Sequence, residues 1–454
     1  MSQYVAERGA PVALERYDQL VSYFETAGKP RAEWRIGTEY EKVAVWAASG
    51  DAVPFTGGIE EVLRQLADRY GWVPVLEEGR TIALQGDNCS ITLEPGGQLE
   101  LSGAPCDSIH STAREFAEHV RQVVTVGNHL GIVFLGLGMQ PITPLDAIEW
   151  VPKHRYAIMG PHMRRVGTLG QRMMKQTATV QMNIDYASER DAMAKLRVGM
   201  GIAPLLTALF ANSPISDGRI NGFKSFRGHI WTDTDAARCG LLPFVFRESC
   251  GFTDYVDYAL DVPMYFIVRD GRWIDTTSRT FRQFWRDGFQ GEHARVADWN
   301  DHLTTLFPEA RLKKFIELRS ADSQAPELTL AAPALVKGLF FEDDCLWAAW
   351  DLVKRWSWEE RIRLYHDVHR HALQAHVRGV ELSELARELV DIAATGLDRQ
   401  RRDGQDSEGL YLERLRDLVR RRRCPADGVI EQWNGRWDRE RARLVAGTAY
   451  RMTP

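Results

Sequence analysis

The chain has 454 residues, 44% hydrophobic and 26% charged, an ordinary globular balance with ample length for a large core. Its 57 basic and 62 acidic residues give a formal net charge of −5, so no overall basic excess points to nucleic acid or to a membrane surface. The longest apolar run, GIVFLGLGM at 131–139, is too short to cross a bilayer, and the N-terminal stretch MSQYVAERGAPVALERYDQL has charges throughout and no leader-like apolar core, so a cytoplasmic location is expected.

Residues 11–29 are expected to form a helix, because Leu14, Tyr17, Leu20, Val21 and Phe24 recur at helical spacing and Pro30 stops it. WRIGTEYEKVAVW reads as a strand, and IEEVLRQLADRYG as a helix ended by Gly71. Residues 81–102 read as strand, turn, strand, with Pro95-Gly96-Gly97 at the centre of a hairpin. A helix from Ser108 to Leu130 is followed by the strand GIVFLGLGM. WVPKHRYAIM, at 150–159, is a basic and aromatic cluster, read equally as part of a functional surface or as an ordinary structured loop. TATVQMNIDYA is an alternating strand, and a helix capped by Ser188 follows it. A second hairpin turns at Asp270-Gly271, and RLKKFIELRSAD holds a further strand. From about residue 340 strand signals vanish and amphipathic helices take over. The basic run RLRDLVRRRRC, at 414–424, reads as a solvated helix face.

Helices and strands mix without a regular βαβ alternation. The expected class is therefore α+β, with a mostly antiparallel sheet and an α-helical C-terminal part. One catalytic unit over 1–454 is expected, divided into an α+β part at 1–339 and a helical part at 340–454. The six cysteines are scattered and form no C-x-x-C pair, so neither a zinc site nor a disulfide framework is indicated.

The acids are the unusual feature. On a strand, Glu39, Glu41, Val43 and Val45 share one face, so two carboxylates continue a row of valines. Glu94 sits at the hairpin turn, and Glu100 lies between two leucines. Gln181, Asn183 and Asp185 alternate with apolar neighbours, and Phe315, Glu317 and Arg319 share a face. An isolated buried carboxylate is very costly, and several on one face repel unless something cationic sits among them. Hard divalent cations, magnesium above all, suit such an oxygen-rich set. Magnesium in a carboxylate basin usually serves phosphate chemistry, yet no Walker A loop occurs. A nucleotide would then rest on metal and arginines. Arg227, in SFRGHIW, suits bidentate capture of a carboxylate.

These stretches resemble the plant-type glutamate–cysteine ligases, which also occur in proteobacteria. The likeness is carried by GTEYEKVAVW, LEPGGQLELSGAP, WVPKHRYAIM, VGTLGQRMMKQTATVQMNID, FKSFRGHIWTDTD, CGLLPFVFRESCGFTDYVDYALDVPMYF, FRQFW, DWNDHLTTLFPEARLKKFIELRSAD and QWNGRW, over roughly residues 35–440. It implies the glutamine-synthetase-like α+β cup, a curved antiparallel sheet whose concave face holds ATP, magnesium and substrates. It implies that ATP phosphorylates the γ-carboxylate of L-glutamate, that the amine of L-cysteine displaces phosphate, and that γ-glutamylcysteine, the precursor of glutathione, results. By this resemblance Glu39, Glu41, Glu94, Glu100 and Glu317 hold more than one Mg2+, with Gln181 where some relatives place a metal-binding histidine. Glu41, Glu317 and Arg319 are then the catalytic set. Arg319 would stabilise the transferring phosphoryl group, Arg227 would hold the glutamate α-carboxylate, and Tyr265 would line the cysteine pocket. Lys153, Arg155 and Lys175 are expected to bind anions, the first two on the substrate side and Lys175, with Arg319, at ATP. Another amine acceptor, or a non-catalytic binding role, stays open on the residues alone. Plant members carry cysteine pairs that act as thiol switches. Here Ala113 and Thr276 stand at two of those places, so no such switch is expected, and a monomer is favoured over a dimer.

Overall fold

A computed structural model describes residues 12–402 and 404–452. The N-terminal stretch discussed above therefore lies largely outside the described residues. Among the described residues nine strands form one sheet. They are β1 (Ile36–Trp46), β2 (Val73–Glu77), β3 (Arg80–Gln85), β4 (Ser90–Leu93), β5 (Leu99–Ser102), β6 (Ile132–Leu135), β7 (Thr179–Ile184), β8 (Ala310–Leu312) and β9 (Ile316–Asp322). The spatial order is β8-β9-β7-β1-β5-β4-β3-β2, with β6 on the second half of β1, and every pairing is antiparallel. The long β1 is thus the spine: β5 and β7 flank its first half, and β6 its second.

Alternation gives the sheet two unlike faces. On one, Ile36, Tyr40, Val180, Met182, Ile184 and Leu318 enter the main core. Three helices cover this face: α1 (Ile109–Leu130), α2 (Glu189–Phe210) and α3 (Ala331–Phe340). Tyr40 meets Phe116 of α1 with ring centroids 4.7 Å apart. Gly199 of α2 lies so close to β9 that a Cβ there would come within 2.6 Å of Leu318. α2 is long and apolar enough to cross a membrane, but 94% of its most apolar window is buried inside the protein. It is the central helix of this core.

On the other face, Val43 and Val45 are buried in a separate small core with Leu135, Ile142, Trp433, Leu444 and Val445. Fully burying a valine contributes about 2 kcal/mol. The C-terminal segment thereby plugs one end of this face, and Glu39 and Glu41 lie just beyond the plug.

Several boundaries differ from the sequence-based expectation. The first helix runs only Tyr17–Glu25, because Ala13 bridges to Arg295 and Leu14 bonds to Ala294. VPVLE, which carries no strong strand signal, forms the edge strand β2. GIVFLGLGM is strand only as β6, since Gly136 and Gly138 donate instead to Thr448 and Asn212. The cluster at 150–159 is not a loop throughout: a helix starts at His154 with Lys153 as its cap. The C-terminal part contains one short hairpin, His376–Val377 with Val380–Glu381, turning through Arg378 and Gly379 at positive φ.

Candidate active site

The polar face of the sheet is built by register. Glu39 stands opposite Ser102 on β5 and Gln181 on β7, and Glu41 stands opposite Glu100. The turn after β4 adds Glu94: the Gly97 N–H bonds to Glu94 O at 2.9 Å, with Gly97 at φ +83°. Gly96 packs against the backbone of Lys175, where a Cβ would come within 2.2 Å of Lys175 O. Only glycines fit this turn, and the turn delivers Glu94 to the face.

Glu41, Glu94 and Glu100 offer carboxylate oxygens that all lie within 4.8 Å of one another. Glu41 and Glu100 are buried, and Glu94 is partly exposed. Burial, then Glu94 and Glu100, raise Glu41 well above the usual carboxylate range, against Arg227 and the Thr179 N–H. Burial, then Glu39 and Glu94, push Glu100 up to about 7, against the Ser102 hydroxyl. Burial raises Glu94 too, although Lys153, Arg155 and Arg319 pull it back. Acids so placed are short of positive charge. That donor set, oxygen-only and anionic, fits a hard divalent cation.

The remaining acids are arranged differently. Glu39 accepts a 3.0 Å bond from Asn183 Nδ2. Glu317 is fully buried and held by cations: Arg311 Nη2 lies 2.6 Å from both its oxygens, Lys313 Nζ lies at 2.8 Å, and Arg319 also pairs with it. Burial would raise its carboxyl, but Arg311, Lys313 and Arg319 hold it well below the usual range. Gln181 accepts from Arg319 and reaches Glu41 at 3.5 Å. Among the described residues the structure thus brings three of the five glutamates into one cluster. It sets Glu39, Gln181 and Glu317 beside that cluster, within the reach of Arg319.

The arginines complete the basin. Arg319 packs beside the rings of Trp231 and Phe307, at 5.6 and 5.5 Å, and the two rings touch each other. Arg227 is 3% exposed, on the short helix α4 (Phe226–Trp231, counted in order of introduction). Its Nη2 donates to Arg319 O at 2.8 Å, while its Nε has no hydrogen-bond partner. A buried guanidinium N–H left open is a place for an incoming anion.

Lys153 is buried and donates to Leu93 O at 2.7 Å, beneath Glu94; burial lowers it to about 7, with Glu94 opposing. Arg155 bears on both Glu94 and Tyr265. Lys175 lies apart from the acids, 5.1 Å from the Trp150 ring. Tyr265 is fully buried between the Arg238 guanidinium, 4.0 Å from its ring, and His162, 5.1 Å away. His162 and Arg238 both meet Asp235, at 3.3 and 2.6 Å. Sequence reasoning passed over this block, and over Arg311, Lys313 and Trp231. Arg311 and Lys313 had a signal, since they share a strand face in RLKKFIELR; the block did not, because its members come from separate segments.

An antiparallel sheet with clustered acids on one face and two arginines beside them is the apparatus of an ATP-dependent carboxylate–amine ligase. The family model described as Glutamate-cysteine ligase family 2 matches residues 35–447. The chain is 43% identical over 423 residues to the chloroplastic glutamate–cysteine ligase of Brassica juncea, covering 92% of this chain and 81% of that protein. It is also 43% identical to the chloroplastic enzyme of Arabidopsis thaliana, covering 92% and 80%. A crystal structure of glutamate–cysteine ligase from Francisella tularensis in complex with AMP shares the fold, with a TM-score of 0.55 at 13% identity over 91% of this chain and 88% of that one. The chain belongs to glutamate–cysteine ligase family 2. Its activity is the ATP-dependent joining of glutamate to cysteine, the first step of glutathione synthesis.

Proposed function

We propose that Glu41, Glu94 and Glu100, with Glu39, Gln181 and Glu317 beside them, hold magnesium ions that accompany ATP. The observation that carries this reading is the cluster of three carboxylates within 4.8 Å, turned toward Arg227 and Arg319. When bound there, magnesium would offset the charge of the phosphates. The chain's own residues do the rest. Arg319, packed beside two aromatic rings, faces the phosphoryl group as it moves from ATP to the glutamate γ-carboxylate. Arg227 receives the glutamate α-carboxylate on its open Nε–H. Lys153 and Arg155 set the positive field at Glu94, and Lys175 stands at the ATP side near Trp150. Tyr265, stiffened by Arg238 and His162, lines the pocket for cysteine. The amine then attacks the acyl phosphate, forming the amide and expelling phosphate.

The α+β cup of 1–339 and the helical 340–454 work as one catalytic unit in this reading. Supporting it, Tyr365 of the helical part donates to Glu309 at 2.7 Å, and Glu309 O accepts the Arg319 N–H at 3.1 Å. Calorimetric titration of magnesium into the protein tests the metal assignment. Binding that survives in Glu41→Gln and Glu100→Gln alike refutes it. Phosphate release with ATP and glutamate, and then with cysteine against other amino acids, tests the acceptor.

A further inference from the structure

Strand β9 brings more residues to the polar face than simple alternation allows. Glu317 is paired with Asn183 on that face, and Leu318 with Met182 on the core face. Pairing then shifts: Ala321 is opposite Val180, and Asp322 opposite Thr179. Arg319 and Ser320 together therefore oppose the single Gln181. This one-residue bulge reverses the parity of the strand. Without it Asp322 would point with Leu318 into the core. With it Asp322 joins Glu317 on the reaction side.

Asp322 is 1% exposed and is the hub of a small network. Its Oδ2 accepts from Ser213 Oγ at 2.7 Å and from the Asn212 N–H at 2.8 Å. Its Oδ1 accepts from Ser225 Oγ at 2.9 Å and lies 3.8 Å from Arg227 Nη1. A hydroxyl that donates to a carboxylate keeps its lone pairs for an amide. Both serines use them on the helix that carries Arg227. Ser213 Oγ accepts the Arg227 N–H at 3.0 Å, and Ser225 Oγ, the helix cap, accepts the Gly228 N–H at 3.0 Å. One carboxylate thus orients two hydroxyls, and both hold the first turn of α4. The guanidinium is tethered at its far end to Arg319 O, on the bulge itself.

We propose that Asp322 is a positioning residue for substrate binding: through Ser213 and Ser225 it fixes the helix that presents Arg227, and the bulge at Arg319 and Ser320 places it there. This rests on the reading of Arg227 as the residue that receives glutamate. Strand β9 then sets the attitude of two arginines, one by carrying it and one by bracing it.

The test is steady-state kinetics on the full chain for Asp322→Asn, Arg227→Lys and the double variant, with melting temperatures alongside. Asp322→Asn is expected to raise the glutamate KM about tenfold, leaving the cysteine and ATP KM and kcat within about threefold. The two substitutions act on one device, so the double variant is expected to be little worse than Arg227→Lys alone. Ser213→Ala with Ser225→Ala reproduces the pattern and replaces Asp322→Asn should that variant not fold. The proposal is overturned if the glutamate KM stays put, if all three KM values rise together as the melting temperature falls, or if the two effects multiply. Should Arg227→Lys raise the KM of a different substrate, the glutamate assignment fails. Asp322 then stands as a positioning residue only if its variant raises that same KM without multiplying it.

Discussion

Glu41 on β1 and Glu100 on β5 are direct cross-strand partners, both more than nine-tenths buried. Like charges placed opposite one another destabilise a ladder even at a surface, and burial removes the water that would screen them. The fold tolerates the pair because one or both carboxyls keep a proton, or because a cation supplies the missing charge. That choice makes the site sensitive to pH and to metal.

Glu41→Gln keeps the size of the side chain and removes one of the repelling charges. Turnover is expected to fall about 100-fold, the scale of a lost electrostatic group in a water-poor site. The melting temperature of the metal-free variant is expected to equal or exceed that of the parent. Phosphate-release kinetics and thermal melts check both. Turnover near the parent value at saturating magnesium sinks the assignment of Glu41.

The stability that Glu100 contributes to the metal-free protein is expected to fall as pH rises toward neutrality, while buried bases such as His302, His369 and Lys153, all held low by burial, act the other way. Glu100 titrates near 7 folded against 4.5 unperturbed, and Glu41 and Glu94 are also raised. A raised carboxyl binds more protons folded than unfolded. Its stabilising contribution is full below about 4.5 and is lost as pH climbs through about 7. Glu317 is shifted the other way, but its contribution is lost only in more acidic solution and is constant across this window. Between about pH 5 and 8 the melting temperature of the parent should fall relative to that of Glu100→Gln, and magnesium should flatten that difference. A slope that Glu100→Gln leaves unchanged points to other groups.

Much of this site was legible because a period of two is unforgiving. Once Glu39 and Glu41 are aligned with Val43 and Val45, their burial follows, and Pro95-Gly96-Gly97 announces the turn that delivers Glu94. The bulge in β9 was not legible, since nothing in ELRSAD marks where the ladder slips, and so Asp322 was read past. Arg311, Lys313 and Arg319 carried a parity signal, but that they close on Glu317 is decided by the register of the β8–β9 hairpin, not by composition. Tyr265 was reached only through resemblance. Of its neighbours, Asp235 and Arg238 pair locally three residues apart, and tertiary structure brings them to His162.

Arg311 is expected to matter through Glu317. Its guanidinium meets the carboxylate along one edge and donates to the Thr304 and Leu306 carbonyls with its other nitrogen. Arg311→Met leaves Glu317 fully buried with Lys313 and Arg319 as its remaining cations. A stability loss of about 3 kcal/mol is expected, the scale for removing one partner of a buried pair. Denaturant unfolding measures it. A loss below about 1 kcal/mol shows that Lys313 and Arg319 suffice.

The two arginines proposed to face substrate should separate kinetically. Arg319→Lys replaces a planar guanidinium packed beside Trp231 and Phe307 with a compact ammonium. Its contact strengthens as charge develops on the phosphoryl group, so kcat is expected to fall with little change in the glutamate KM. Arg227→Lys replaces a fork by a point charge at a ground-state contact and is expected chiefly to raise that KM. Steady-state kinetics showing the reverse pattern exchange their roles.

The last expectation concerns the thiols. All six cysteines are free, Cys239 and Cys250 included. Burial pushes Cys239 up to about 12 and Cys250 up to about 11. The thiolate is the species that attacks a disulfide or an oxidant, so thiols held this high are slow to react at neutral pH. The plant positions offer no replacement, because Ala113 and Thr276 cannot form a disulfide. Dithiothreitol is therefore expected to leave both activity and apparent mass unchanged, and the mass is expected to be that of a monomer. Assays with and without reductant, paired with size-exclusion chromatography, decide it. A several-fold loss of activity on reduction, reversed by oxidation and abolished in Cys239→Ser, would show a switch built from cysteines the plant enzymes do not use.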